Sequence, residues 1–137
     1  MAISWKESYC TGVRQIDEQH QKLFRFASTL DRLVDEGSGS GPELDHLLMF
    51  LEGYARSHFA YEEPCMARLR CPTARANKKA HREFLEFYDV ILNEYRTCGG
   101  SLDLVRQLRN WLNKWLVDHI CSIDMGLRDC IRKPGES

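Results

Sequence analysis

The sequence predicts an all-α protein, an up-down antiparallel four-helix bundle with an extended N-terminal arm. Three observations carry this prediction. Apolar residues recur at helical spacing in four segments. Three breaks rich in glycine, serine or proline separate those segments. Between the breaks there is no period-two alternation, and the β-branched residues are scattered.

The arm is expected over residues 1–16, with Trp5 and Val13 as its apolar members, capping the bundle. A first helix follows over 17–36, with Leu23, Phe24, Ala27, Leu30 and Val34 on one stripe. It ends at Gly37-Ser38-Gly39-Ser40-Gly41-Pro42, whose proline suits the start of a helix. This loop lacks the Lys-Ser/Thr of a phosphate loop and reads as a plain linker. The second helix is expected over 43–65, with Leu44, Leu47, Leu48, Leu51, Tyr54 and Ala55 facing inward. Proline in Cys71-Pro72-Thr73 disfavours helix there and marks the next break. The third helix, over 74–97, carries Phe84, Tyr88, Ile91, Leu92 and Tyr95. After Cys98-Gly99-Gly100-Ser101, with Ser101 as N-cap, the fourth runs over 101–130 with Val105, Leu108, Leu112 and Trp115. Short connections make successive helices antiparallel neighbours. The whole chain, 1–137, reads as one domain, without an internal repeat.

Composition narrows the function. Hydrophobic residues make up 43%, enough for a core, yet no apolar run approaches the roughly 20 residues of a membrane helix. Lys and Arg number 19 against 20 Asp and Glu, a net charge of -1 that argues against nucleic-acid or anionic-membrane partners. The N-terminus MAISWKES has no apolar signal region, so a cytoplasmic protein is expected. Six cysteines without a CxxC pair are then expected to be reduced thiols, although Cys65 and Cys71 flank one connection and could pair if oxidised.

Extending each stripe to its polar members gives the candidate site. His20 precedes Leu23 and Phe24 on the first helix. His58 continues Tyr54 and Ala55 on the second, and Glu62 lies one turn further. On the third helix Asn77 and His81 precede Phe84 and Tyr88. On the fourth, His119 follows Leu112 and Trp115. A single inward histidine is usually a satisfied core residue. One on every helix points to a metal site, since a buried imidazole or carboxylate without a partner costs several kcal/mol. A His and carboxylate set without cysteine suits iron or manganese better than structural zinc, and carboxylates can bridge two metals. Asp124 is five residues beyond His119, which a regular helix sets about 140° away. It needs a helix end or a wide turn near Cys121-Ser122 to join the set, and spacing alone leaves an exposed acidic residue equally open.

These residues resemble the hemerythrin family in its bacterial single-domain form. Trp5, Ile16-Asp17-Glu18-Gln19-His20, His58-Phe59-Ala60-Tyr61-Glu62-Glu63 and Trp115-Leu116-Val117-Asp118-His119 continuing to Asp124 are similar to its motifs, in order, over nearly the whole chain. The resemblance implies two iron ions bridged by two carboxylates and an oxo or hydroxo oxygen. It implies that Glu62 and Asp124 are the bridges, that His20 and His58 bind one iron, and that His81 and His119 bind the other. Leu116 would be the apolar residue over the oxygen-binding face. One departure stands out. The third-helix motif HxxxH reads here as Asn77-Lys78-Lys79-Ala80-His81, with asparagine in place of its first histidine. Asn77 could bind through its carbonyl oxygen, hold a water, or do neither.

The first expectation is therefore a protein that binds dioxygen or a related small oxidant reversibly, for carriage, storage or sensing. A second reading is a di-iron redox enzyme reducing oxygen, peroxide or nitric oxide, because Asn77 leaves two histidines per iron. A third is a sensor that signals iron state to a signalling or redox partner. Other residues read more simply: His46 as surface, Trp111, Trp115, Tyr54, Tyr61 and Tyr88 as core, and Cys121 as a thiol close to His119 in sequence.

Overall fold

The computed structural model describes residues 4–120, 126, 127 and 130. Four helices dominate it: α1 (Arg14–Asp35), α2 (Pro42–Arg68), α3 (Ala74–Cys98) and α4 (Leu102–Asp118). Each packs on its neighbours in chain order, and α1 closes the ring against α4. This is the four-helix bundle that the stripes predict. Leu23, Leu30, Leu51, Phe84, Leu108 and Leu112 are its centre. A smaller apolar cluster of Ile16, Cys65, Met66, Cys71 and Leu127 fills one end.

The boundaries differ in informative ways. The arm is not extended throughout, because Glu7–Tyr9 forms a 3-10 turn, and α1 starts at Arg14 instead of 17. Asp17 explains the early start. Its Oδ1 accepts both the backbone N–H of Thr11, at 2.7 Å, and the Thr11 hydroxyl, at 2.9 Å. A carboxylate in the first turn of a helix is also favoured by the helix dipole. The arm is then pinned by its rings: Tyr9 stacks on Phe24, and Trp5 meets both edge-on.

α2 continues past Pro64 to Arg68. α4 gives way at His119 and Ile120 to a π-helical turn. Such a turn is wider than an α-turn, with bonds from i to i+5. Asp124, for which a wide turn is needed, lies outside the described residues, as does Cys121.

Caps follow the sequence reading. Ser101 Oγ accepts the Leu104 N–H at 3.1 Å, and Pro42 opens α2. The two glycine-rich breaks also pack on each other at one end of the bundle. A methyl group on Gly39 would collide with the Leu102 backbone, and one on Gly100 with the Gly39 carbonyl. Gly39→Ala should therefore destabilise the bundle by about 1–3 kcal/mol in a denaturant titration, whereas Gly53→Ala, with open space around it, should not.

Among the described residues, Cys65, Cys71, Cys98 and Cys130 are free thiols. Burial, helped by Cys130, pushes the Cys71 thiol up to about 12, so it stays protonated. Tyr88 is core as expected, its hydroxyl donating to the Leu48 carbonyl at 2.6 Å. Tyr54 is half-buried against Phe26. Tyr61 corrects the sequence reading: it is exposed, because the residue before inward-facing Glu62 is turned about 100° away. His46 is exposed, as expected. No helix among the described residues is long and apolar enough to cross a membrane.

Candidate metal centre

Four helices deliver five side chains to one buried point. α1 supplies His20, α2 supplies His58 and Glu62, α3 supplies His81, and His119 stands just past the end of α4. All five are at most 3% exposed. His58 and Glu62 share a face because they are four residues apart.

Glu62 is the hub. Its Oε2 lies 3.1 Å from His20 Nε2 and 3.5 Å from His58 Nε2. Its Oε1 lies 3.0 Å from His81 Nε2 and 3.6 Å from His119 Nε2. Each carboxylate oxygen thus serves one pair of imidazoles. Two groups capable of holding a metal ion result, His20–His58–Glu62 and Glu62–His81–His119, with Glu62 in both.

The electrostatics favour a carboxylate over a carboxylic acid. Burial pushes the Glu62 carboxyl up. Hydrogen bonding to His119, His20 and His81, with the charge of His58, outweighs burial and holds it well below the usual range. A charged acceptor therefore sits in the core with imidazoles on every side.

A cation fits this arrangement on the proton inventory alone. Gln19 Oε1, an oxygen that only accepts, lies 2.6 Å from His58 Nδ1. Nδ1 therefore carries the proton, and in the neutral ring the Nε2 lone pair faces the Glu62 carboxylate. His81 repeats the pattern. Its Nδ1 donates to Glu63 Oε2 at 2.8 Å, and its Nε2 faces both Glu62 Oε1 and, at 3.2 Å, His119 Nε2. In the metal-free protein, protons on Nε2 fill these gaps and supply the hydrogen bonds and the His58 charge that hold Glu62 low; a metal ion would take the place of those protons. A carboxylate or carbonyl behind a histidine is also the usual device for setting ligand tautomer and orientation.

Two aromatic plates fix the second imidazole pair. Phe59 stacks on His81 at 3.8 Å and 11°, and Trp115 on His119 at 4.3 Å and 16°. Leu116, fully buried, precedes His119 by about one turn. Trp115 thus does more than fill the core, the role expected from the sequence; the four-residue spacing to His119 is the signal that was open to reading.

A model of the hemerythrin HHE cation binding domain matches residues 11–130. The chain belongs to the hemerythrin family. The bacteriohemerythrin of Pseudomonas aeruginosa (strain UCBPP-PA14) is 31% identical over 132 residues, spanning 95% of this chain and 82% of that protein. That of Stenotrophomonas maltophilia (strain R551-3) is 27% identical over 131 residues, with the same shares of each chain. A hemerythrin-like protein of Naegleria gruberi is 28% identical over 124 residues, 90% of this chain and 88% of that one.

Of the positions expected from the sequence, the hemerythrin fold brings together His20, His58, Glu62, His81 and His119. Asn77 is fully buried one turn before His81 on α3. Asp124 lies outside the described residues. Gln19 and Glu63 are additions. They stand beside motif residues, yet spacing gave no sign that they reach imidazoles 39 and 18 residues away. Glu63→Ala should weaken binding at the His81 position by roughly 10–100-fold, read by anaerobic metal titration, while leaving the His20–His58 position unchanged.

Proposed function

We propose that the chain holds two iron ions and binds dioxygen reversibly. The observation that carries this reading is the division of Glu62 between two histidine pairs. His20 and His58 would hold one iron, and His81 and His119 the other. Glu62 and Asp124 would bridge them, with an oxo or hydroxo oxygen between the ions. The imidazole and carboxylate donor set suits iron. Relatives described as bacteriohemerythrin support the same reading. When bound, such an iron pair supplies the two electrons that dioxygen takes up and returns.

The chain's own residues do the rest. Gln19 and Glu63 fix the protons of His58 and His81 on Nδ1, leaving Nε2 to bind. Phe59 and Trp115 lay apolar rings against the second pair, and buried Leu116, about one turn before His119, would add apolar surface that limits access of water and of bulk protons. Dioxygen, or a related small oxidant, is the partner this reading requires. Carriage, storage and sensing all follow from reversible binding.

One observation favours a second reading. Asn77 stands where a third-helix histidine is expected, leaving two imidazoles at each metal position. A centre open at both ions would turn over oxygen, peroxide or nitric oxide. The optical spectrum of iron(II)-loaded protein separates the two. Bands that appear as oxygen is admitted and vanish as it is withdrawn match the binding protein. Immediate collapse to a ferric spectrum matches the redox enzyme. Failure to take up iron contradicts both.

A further inference from the structure

The side chain at the departure from the family pattern is held in one orientation. Asn77 is completely buried, and its Nδ2 donates to the Met66 sulfur at 2.9 Å. A thioether sulfur accepts hydrogen bonds and cannot donate them. The nitrogen edge of the amide must therefore face Met66, and the oxygen edge must face elsewhere. Asn77 Oδ1 is buried and has no hydrogen-bond partner. A buried amide oxygen left this way is costly, and a leucine here would avoid the cost.

The surroundings indicate what the oxygen serves. Asn77 precedes His81 by four residues on α3, and Met66 follows Glu62 by four on α2. The Met66–Asn77 pair is thus the layer adjoining the Glu62–His81 layer, about 6 Å along the helices. A neutral amide oxygen is a competent ligand for a hard or borderline cation.

We propose that Asn77 is a carbonyl-oxygen ligand to the metal held by Glu62, His81 and His119, with Met66 as the residue that orients it. This rests on the metal-binding reading above. The two metal positions then differ in donor set: two imidazoles at one, two imidazoles and an amide oxygen at the other.

Cobalt(II) titration of the metal-free full chain, followed by its visible absorption and by metal analysis, tests the assignment without any oxygen chemistry. Wild type should take up two equivalents. Asn77→Ala should weaken one of them by roughly 10–100-fold and shift its bands. Asn77→His should tighten that same equivalent. Met66→Leu, which keeps the volume but removes the sulfur acceptor, should weaken it by a smaller factor. Should Asn77→Ala fail to fold, Asn77→Asp and Met66→Leu carry the test, the aspartate variant tightening the same equivalent. Asn77→Ala protein with both affinities and both sets of bands unchanged would overturn the assignment, as would wild type that binds a single equivalent. Wild type that binds no metal would instead overturn the metal-binding reading itself.

Discussion

Glu62→Ala protein should lose both metal ions, not one. The carboxylate offers Oε2 to the His20–His58 pair and Oε1 to the His81–His119 pair, so its removal strips each position of its only described anionic donor. His20→Ala should behave differently, weakening one position and leaving Glu62, His81 and His119 intact. Metal content after anaerobic loading and desalting distinguishes the two variants. One retained ion in Glu62→Ala would mean that Glu62 serves a single site. The same residue sets an acid dependence in the metal-free protein. Its folded-state pKa is held below the usual value near 4.5, so its ionisation stabilises the fold above that value. That stabilisation is lost as the pH falls from there through the lowered value. Glu62→Gln removes it, so the wild type's advantage in thermal unfolding should shrink as pH drops through this range. An advantage that grows toward acid would contradict the assigned sign.

Phe84→Ala should be the most damaging single change to the core, at about 3–5 kcal/mol in denaturant unfolding. Phe84 is fully buried and touches Phe59, Tyr88, Trp111 and Trp115, with ring centroids 4.8–5.8 Å away. Two of those rings are the plates behind the site, Phe59 on His81 and Trp115 on His119. The cavity should therefore also loosen the second metal position, seen as faster release to a chelator. Val90→Ala, on the exposed face of the same helix, should do neither.

Much of this molecule was legible before its structure. The stripes located the helices because amphipathic burial has a period that sequence displays directly. The inward histidines were legible for the same reason, as polar members of those stripes. The early start of α1 was not, because Thr11 and Asp17 meet through a folded arm that periodicity cannot see. Gln19 and Glu63 were missed for a related cause. Which side chain reaches across to which imidazole depends on the axial register between helices, and no single-helix pattern contains it. Trp115 behind His119 could have been found, since a four-residue spacing on one helix brings the two rings together. The orientation of Asn77 required Met66, which sits on another helix.

Iron K-edge X-ray absorption on the loaded protein, with iron counted per chain, tests most directly the claim that one carboxylate joins two metals. Two irons per chain with resolved iron–iron scattering are expected. One iron per chain, or two with no iron–iron scattering, would contradict the claim.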